Sequence, residues 1–257
     1  MVKIVVTGIA GRMGGELIRA VRADPETRLV AGTVRAHGPA AELSSRLAVA
    51  VDDSLEAAIA RGADVVIDFT SPRATAEHAS ACANAKTALV VGTTGLGPAE
   101  LQAIDEAAKA IPVVLAPNMS VGMNLLFRLV EEAAWALPGF DAEVVEIHHR
   151  HKKDSPSGSA LRLARSITQG RGGSAREIVH GRHGQVGERP AGEIGMHAVR
   201  GGDVAGDHTV FFLGPGERLE LTHRASSREA FAAGAVRAAR WVVGRPAGLY
   251  SMQDVLA

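Results

Sequence analysis

Val2-Lys-Ile-Val-Val-Thr-Gly-Ile-Ala-Gly-Arg-Met-Gly-Gly-Glu-Leu-Ile-Arg-Ala-Val21 opens the chain after its first methionine. The β-branched run Val2–Thr7 reads as a strand, and Leu17, Ile18 and Val21 mark one face of a helix. Strand, glycine-rich turn and helix in that order form the context a dinucleotide-binding fingerprint requires. Gly8 allows the tight turn, Gly11 lets backbone approach a pyrophosphate, and Gly14 lets helix pack on strand. The spacing is G-x-x-G-x-x-G, with Ala10 where the commoner version has glycine, so a purely structural glycine turn is the competing reading. Gly8, Ile9, Ala10, Gly11, Arg12 and Met13 are the first candidate cofactor contacts.

Outward from this unit the pattern repeats. Strands are expected at Arg28–Val34, Asp64–Phe69, Thr87–Val91 and Ile111–Leu115, with helices at Ser54–Arg61, Pro72–Asn84 and Pro98–Ala110. Such alternation, with near-continuous apolar strands, means a doubly wound parallel sheet of the Rossmann type. Ligands on that sheet sit at the carboxyl ends of its strands. Those ends carry Gly8–Met13, Asp68-Phe-Thr-Ser, Gly92-Thr-Thr-Gly and Ala116-Pro-Asn-Met. Thr93, Thr94 and Asn118 are small polar residues placed there to read a ribose or nicotinamide amide, with a plain turn residue as the competing reading for each. The second strand ends in Val34 and Arg35 instead of the Asp or Glu that would bind a free ribose 2′-hydroxyl. A missing carboxylate removes repulsion against a 2′-phosphate, and Arg35 can pair with one. NADPH is expected over NADH; the alternative makes Arg35 a plain loop charge.

After Asn118 the pattern changes. Val121–Leu137 reads as a long amphipathic helix, and strands are expected at Ala142–Ile147, Glu193–Val199, His208–Leu213 and Arg218–His223. The last of these alternates cleanly and should have one buried and one solvated face. A second α+β domain with a mixed or antiparallel sheet follows. A final helix, capped by Ser226 or Ser227, should return to the first domain. The expected division is 1–119 with 229–257 for the dinucleotide, and 120–228 for substrate and oligomerisation. Gly181–Arg189 has the composition of a mobile loop over the site.

Within the second domain, Glu146-Ile-His-His-Arg-His-Lys-Lys-Asp-Ser-Pro-Ser-Gly-Ser159 concentrates charge. Six consecutive residues, His148 to Lys153, are cationic or titratable in a chain of zero formal net charge. A helical pattern follows the Ser-Pro-Ser-Gly turn, and side-chain charge backed by a helix N-terminus binds anions. His and Lys also exchange protons near neutral pH once neighbours shift them. If the strand runs on to Lys152, then Glu146, His148, Arg150 and Lys152 share a face. A solvated basic face, a nucleic-acid contact and a metal site are the competing readings. No Cys or Asp/Glu pair stands close enough in sequence to complete a metal site. The other histidines, His180, His183, His197, His208 and His223, are taken as structural.

Composition sets outer limits. At 257 residues the chain is comfortable for two domains, and 46% hydrophobic with 22% charged residues is ordinary for a globular protein. Zero net charge argues against a general nucleic-acid or anionic-membrane binder. The single cysteine, Cys82, excludes an internal disulfide and fits a reducing, cytoplasmic compartment. No stretch reaches 18 apolar residues, so no membrane span is expected.

Six motifs in order carry a resemblance over Val2 to Leu256. They are Gly8-x-x-Gly-Arg-Met-Gly14, Asp68-Phe-Thr, Gly92-Thr-Thr-Gly95, Ala116-Pro-Asn-Met-Ser-Val-Gly122, Glu146-x-His-His-Arg-His-Lys-x-Asp-x-Pro-Ser-Gly158 and Glu220-x-Thr-His-x-Ala-Ser-Ser-Arg228. With them the chain resembles the 4-hydroxy-tetrahydrodipicolinate reductase (dihydrodipicolinate reductase) family of the diaminopimelate–lysine route. The resemblance implies His148 as acid/base and Lys152 as proton donor, with the cofactor touching Gly8–Met13, Gly92, Thr93, Thr94, Ala116, Pro117, Asn118 and Met119. It implies that His149, Gly158 and Ser159 hold the carboxylates of a small cyclic dicarboxylate, and that relatives assemble as homotetramers. Ser159 stands where many relatives have threonine. Val34 departs from relatives with an acidic ribose partner, and the segment Ala36–Ala50 is short for the family. Competing functions are a dehydrogenase of another small dicarboxylate or semialdehyde, and a cofactor-sensing scaffold without turnover.

Overall fold

Alternating strands and helices build the sheet that the first 120 residues predict. The computed structural model describes residues 1–35, 38–174 and 177–257. These divide into two compact units, Met1–Val121 with Arg228–Ala257, and Gly122–Ser227. In chain order the elements are β1 (Val2–Val6), α1 (Arg12–Ala23), β2 (Thr27–Thr33), α2 (Ala40–Leu47), β3 (Ala50–Asp52) and α3 (Leu55–Ile59). Next come β4 (Val65–Asp68), α4 (Pro72–Asn84), β5 (Ala88–Val91), α5 (Pro98–Ala108), β6 (Pro112–Leu115) and α6 (Val121–Ala136). Then follow β7 (Asp141–His148), α7 (Gly158–Gly170), β8 (Ile178–His180), β9 (Ile194–Arg200), β10 (Gly206–Gly214) and β11 (Glu217–Ala225). The chain ends with α8 (Glu229–Val242), β12 (Gly248–Tyr250) and α9 (Met252–Leu256).

The first unit holds a seven-stranded sheet in the order β12-β6-β5-β4-β1-β2-β3, every pairing parallel. Side chains alternate across a strand, so β1 sends Ile4 and Val6 to one face and Val5 to the other. Ile4 and Val6 join a core with Leu17 of α1 and with Ala235 and Ala239 of α8. Val5 joins the opposite core with Ala79 and Cys82 of α4 and Ile104 of α5. Leu17 is fully buried, and its truncation to alanine costs about 2–5 kcal/mol. Strand order reverses between β1 and β4, the switch point where such sheets bind ligands.

The second unit holds a five-stranded mixed sheet, β11-β10-β7-β9-β8. β10 is antiparallel to β11 and β7, while β9 is parallel to β7 and β8. One face, with Ala142, Val144, Val210 and Phe212, packs on Phe127 and Val130 of α6 and Leu163 and Ile167 of α7. The other face carries Val145, Ile147, Val199, Phe211 and Leu213, all partly or largely exposed.

Several expectations need correction. The short elements α2, β3, β8, β12 and α9 were not anticipated, because three to eight residues carry too little periodicity to read. Ala36 and His37 of the short segment Ala36–Ala50 lie outside the described residues. β11 buries the face its alternation predicts only in part: Leu221 packs half-buried on the core and Ala225 is buried, but Leu219 is 38% exposed, because β11 is the sheet's edge strand. α8 starts at Glu229 with Arg228 as N-cap and no side-chain cap, so neither Ser226 nor Ser227 fills that role. Gly181–Arg189 is tied down at both ends. Arg182 and Arg189 pair with Glu143, and Arg189 with Asp141, at the start of β7. His148 ends that strand five residues beyond Glu143, roughly 17 Å away at about 3.4 Å per residue.

Candidate active site

The Gly8 turn is built as the fingerprint predicts. Gly8 adopts φ +59°, a left-handed conformation that glycine enters without penalty. The Gly11 N–H donates to the Gly8 carbonyl at 2.8 Å, and Gly11 is the N-cap of α1 with no side-chain cap. A Cβ at Gly14 would fall 2.5 Å from the Ile9 carbonyl oxygen, so the helix start and the loop approach only through glycine. Ile9 is buried with Val34, whereas Ala10, Gly11 and Arg12 are exposed and Met13 is half-buried. An exposed, uncapped helix start behind a glycine turn suits a pyrophosphate, and the residues present fit a dinucleotide.

Beside this turn, Asp68 ends β4 fully buried. Its carboxylate accepts from Thr7 Oγ1 at 2.8 Å and Thr70 Oγ1 at 2.6 Å, with His78 Nδ1 at 3.1 Å. Burial pushes the Asp68 carboxyl up, but hydrogen bonds from His78, Thr70 and Thr7 outweigh it and leave it lowered. The Thr70 N–H donates to Thr93 Oγ1 at 3.0 Å, and Thr75 Oγ1 donates to the same oxygen at 2.8 Å. Thr93 is thus buried and engaged within the protein, while Thr94 is exposed. Gly92 lets the Phe69 ring lie against the end of β5, since a Cβ there would stand 2.2 Å from Phe69 Cζ. After β6, Ala116 is buried, Pro117 exposed, and Asn118 Oδ1 accepts the Ser120 N–H at 2.9 Å. Gly234 of α8 presses on Met119, whose carbonyl oxygen would lie 1.8 Å from a Cβ. Arg35 follows β2 and is exposed.

In the second unit, β7 ends at His148, so the shared face expected to reach Lys152 stops there. The chain turns: the His149 N–H donates to Val204 O, the Arg150 N–H to Gly202 O, and the Lys152 N–H to His149 O. Arg150 is therefore exposed, and Lys152 reaches Asp154 instead, Nζ to Oδ2 at 2.9 Å. His149 lies half-buried beside His151, with ring centroids 6.2 Å apart.

Glu146 and His148 do share a face, and both are buried. His148 Nδ1 lies 2.5 Å from Glu146 Oε2. The same carboxylate accepts the Ser157 N–H at 3.0 Å and both terminal nitrogens of Arg200 at 2.7 Å. Burial alone pushes the Glu146 carboxyl up, but hydrogen bonds from His148, Arg200 and Ser157 outweigh it and hold it at about 2. Ser157 is the N-cap of α7, accepting the Ala160 N–H at 3.2 Å. Gly158 and Ser159 thus form the first turn of α7, and a Cβ at Gly158 would meet nothing within 4 Å. His208 Nε2 lies 3.1 Å from Ser157 Oγ, and its ring stands edge-on to His148 at 5.1 Å. Burial, reinforced by the charge of His148, lowers His208 to about 3 and keeps it neutral near pH 7.

The second unit therefore brings together His148, Lys152 with its Asp154, and the first turn of α7. Arg200, Ser157 and His208 went unrecognised as parts of this constellation. A buried Glu146 demands donors, but only the pairing of β9 and β10 with β7 reveals which residues supply them.

The family model described as "Dihydrodipicolinate reductase, N-terminus" matches residues 2–119, and "Dihydrodipicolinate reductase, C-terminus" matches residues 122–256. A 4-hydroxy-tetrahydrodipicolinate reductase from Myxococcus xanthus is 54% identical, covering 100% of this chain and 98% of its own. One from Anaeromyxobacter dehalogenans is 52% identical over the same shares. Among solved structures, the dipicolinate-bound dihydrodipicolinate reductase from Paenisporosarcina sp. TG-14 superposes with TM-score 0.79 at 27% identity, over 98% of this chain and 97% of that one. GenD2 from gentamicin A biosynthesis, in complex with NAD, shares the fold at TM-score 0.62 and 16% identity, over 99% of this chain and 90% of that one. By its two matched halves and its full-length relatives, this chain belongs to the dihydrodipicolinate reductase family.

Proposed function

We propose that this chain reduces 4-hydroxy-tetrahydrodipicolinate to tetrahydrodipicolinate in diaminopimelate and lysine biosynthesis. The observation that carries the reading is the buried Glu146–His148 pair beside the first turn of α7. In the reaction water leaves the ring, a hydride is added to ring carbon, and a proton completes the product. A bound nicotinamide nucleotide supplies the hydride. The Gly8–Met13 turn, with Gly92–Thr94 and Ala116–Met119, holds that nucleotide. Arg35 favours NADPH over NADH by pairing with a 2′-phosphate.

The substrate's two carboxylates require donors. The first-turn N–H groups at Gly158 and Ser159 provide them, with His149 as a further cationic partner. His148, steadied through Nδ1 by Glu146, exchanges protons with the substrate, and Lys152 donates the completing proton. Prepositioned donors stabilise charge that develops on the nitrogen side of the ring. The partly exposed apolar sheet face with Val145, Ile147, Phe211 and Leu213 supports a homotetramer joined through that sheet. The compartment proposed for this chemistry is the cytoplasm. Among the described residues no helix is long and apolar enough to cross a membrane.

The test couples dihydrodipicolinate synthase, fed pyruvate and aspartate semialdehyde, to the purified protein and follows NADPH and NADH oxidation separately. Synthase-dependent oxidation is expected. A protein that binds NADPH yet oxidises it with no synthase product overturns the reading.

A further inference from the structure

His148 and Lys152 lean on different supports, and one guanidinium reaches both. Arg200 ends β9, directly opposite His148 in the parallel register of β7 and β9. Its two terminal nitrogens fork onto Glu146, Nη1 to Oε2 and Nη2 to Oε1, each at 2.7 Å. Nη2 also donates to the backbone carbonyl of Asp154 at 2.9 Å. Glu146 is the carboxylate that holds His148, and Asp154 is the residue whose carboxylate holds Lys152.

We propose that Arg200 is the positioning residue of this site, setting the orientation and proton affinity of His148 through Glu146 and the place of Lys152 through Asp154. The inference rests on the reading that His148 and Lys152 handle the protons of the reduction. Groups from every neighbouring element act on His148. Glu146 comes from β7, Arg200 from β9 and His208 from β10, while Ser157 caps α7. Lys152 and His223 of β11 add their charge at His208. A carboxylate beside an imidazole favours its protonated form, and a cation on that carboxylate opposes the effect. Arg200 therefore offsets part of the pull of Glu146 on His148 while Glu146 still fixes its ring. Lysine cannot reproduce this, because an ammonium is a point charge without the planar fork that spans two carboxylate oxygens.

The test compares the full-length protein with Arg200→Met and Arg200→Lys. The His148 imidazole is titrated by NMR, its signal assigned with His148→Gln, and kcat and KM are read in the coupled assay. Arg200→Met should raise the His148 midpoint by about one pH unit, with a smaller rise for Arg200→Lys. It should lower kcat about tenfold or more while KM changes less than about threefold, as expected for an interaction acting in the chemical step. Should Arg200→Met fail to fold, Arg200→Lys alone decides the direction of the shift. A His148 midpoint moved by less than about 0.2 units in the folded variants would overturn the proposal. So would a raised KM with kcat intact, which marks a group that merely holds substrate. The two readings fail separately: a wild-type protein without turnover defeats the functional reading, while the His148 titration still judges Arg200.

Discussion

A Cβ placed on Gly206 would stand 3.0 Å from Nε2 of His148. The absent side chain keeps clear the ring edge that Glu146 does not occupy. Gly206→Ala puts a methyl beside the nitrogen proposed to meet the substrate. Small misplacements at a reacting group cost up to about 100-fold in rate. The variant should lose at least tenfold in kcat, by about the same reasoning, with an unchanged circular dichroism spectrum. Full turnover in the coupled assay would show that Nε2 is not the working nitrogen.

Replacing His148 or Lys152 with alanine should lower kcat by about 10²–10⁴, the usual loss on removing one general acid or base. Arg150 supplies the contrast. It lies between them in sequence but is exposed, because the strand ends before it. Arg150→Ala should keep kcat within about threefold of the parent, as surface positions usually do. Equal losses at all three positions would mean that general positive charge, and not a defined constellation, drives turnover.

Much of this arrangement was legible in the sequence, for identifiable reasons. Gly8 reads as a tight-turn glycine and Gly14 as a close-approach glycine because a positive φ and a backbone contact are local constraints, although Gly14 closes on the Gly8–Ile9 loop and not on the strand itself. The parallel sheet read correctly because strands buried on both faces are continuously apolar. Glu146 and His148 share a face by the two-residue period of a strand, and that period fails where the chain turns at His149. Arg200 and His208 lie more than fifty residues from Glu146, and no local pattern announces them. The inner face of β11 is only partly buried for a related reason: alternation predicts two faces, but only sheet order shows that β11 is an edge.

Arg35 should decide between the two nucleotides. It follows β2 without a neighbouring acid at position 34, and it is exposed. A charge-assisted hydrogen bond to phosphate contributes about 1.5–3 kcal/mol. Arg35→Ala should therefore lower kcat/KM for NADPH by about tenfold or more and leave NADH use nearly unchanged. An unaltered NADPH to NADH ratio would return Arg35 to the status of a surface charge.

Glu143 and Glu146 tie stability to acid. Each carboxyl is held at about 2 against an ordinary value of 4.5. In both, hydrogen-bonded partners outweigh the upward push of burial: Arg182, His197 and Arg189 at Glu143, and His148 and Arg200 at Glu146. Folded carboxyls that bind protons more weakly than unfolded ones stabilise the fold above the unfolded value, and that contribution disappears as pH falls through the folded value. Urea midpoints should thus be level above pH 5 and fall steadily toward pH 2, as a Glu146 carboxyl lowered from 4.5 to about 2 requires. Glu146→Gln should flatten this slope while weakening the fold at neutral pH. A parent protein with the same midpoint at both ends of the range would contradict the pairing.

Gly14 and Gly15 are adjacent helical glycines with opposite expected responses to alanine. At Gly14 the new Cβ meets the Ile9 carbonyl oxygen at 2.5 Å and the Gly8 carbonyl oxygen at 2.7 Å, both of them backbone that must move. At Gly15 it meets nothing within 4 Å. Forcing a methyl into a packed contact costs about 1–3 kcal/mol. Replacing an unstrained helical glycine gains about 0.4–1 kcal/mol through the unfolded chain. Gly15→Ala should therefore melt above the parent protein, and Gly14→Ala below it. Only Gly14→Ala should weaken nucleotide binding in a fluorescence titration, because the loop it displaces is the one proposed to meet the phosphates. If both variants bound NADPH as the parent does, the Gly8–Gly14 turn would be a structural turn and the nucleotide would have to be held elsewhere.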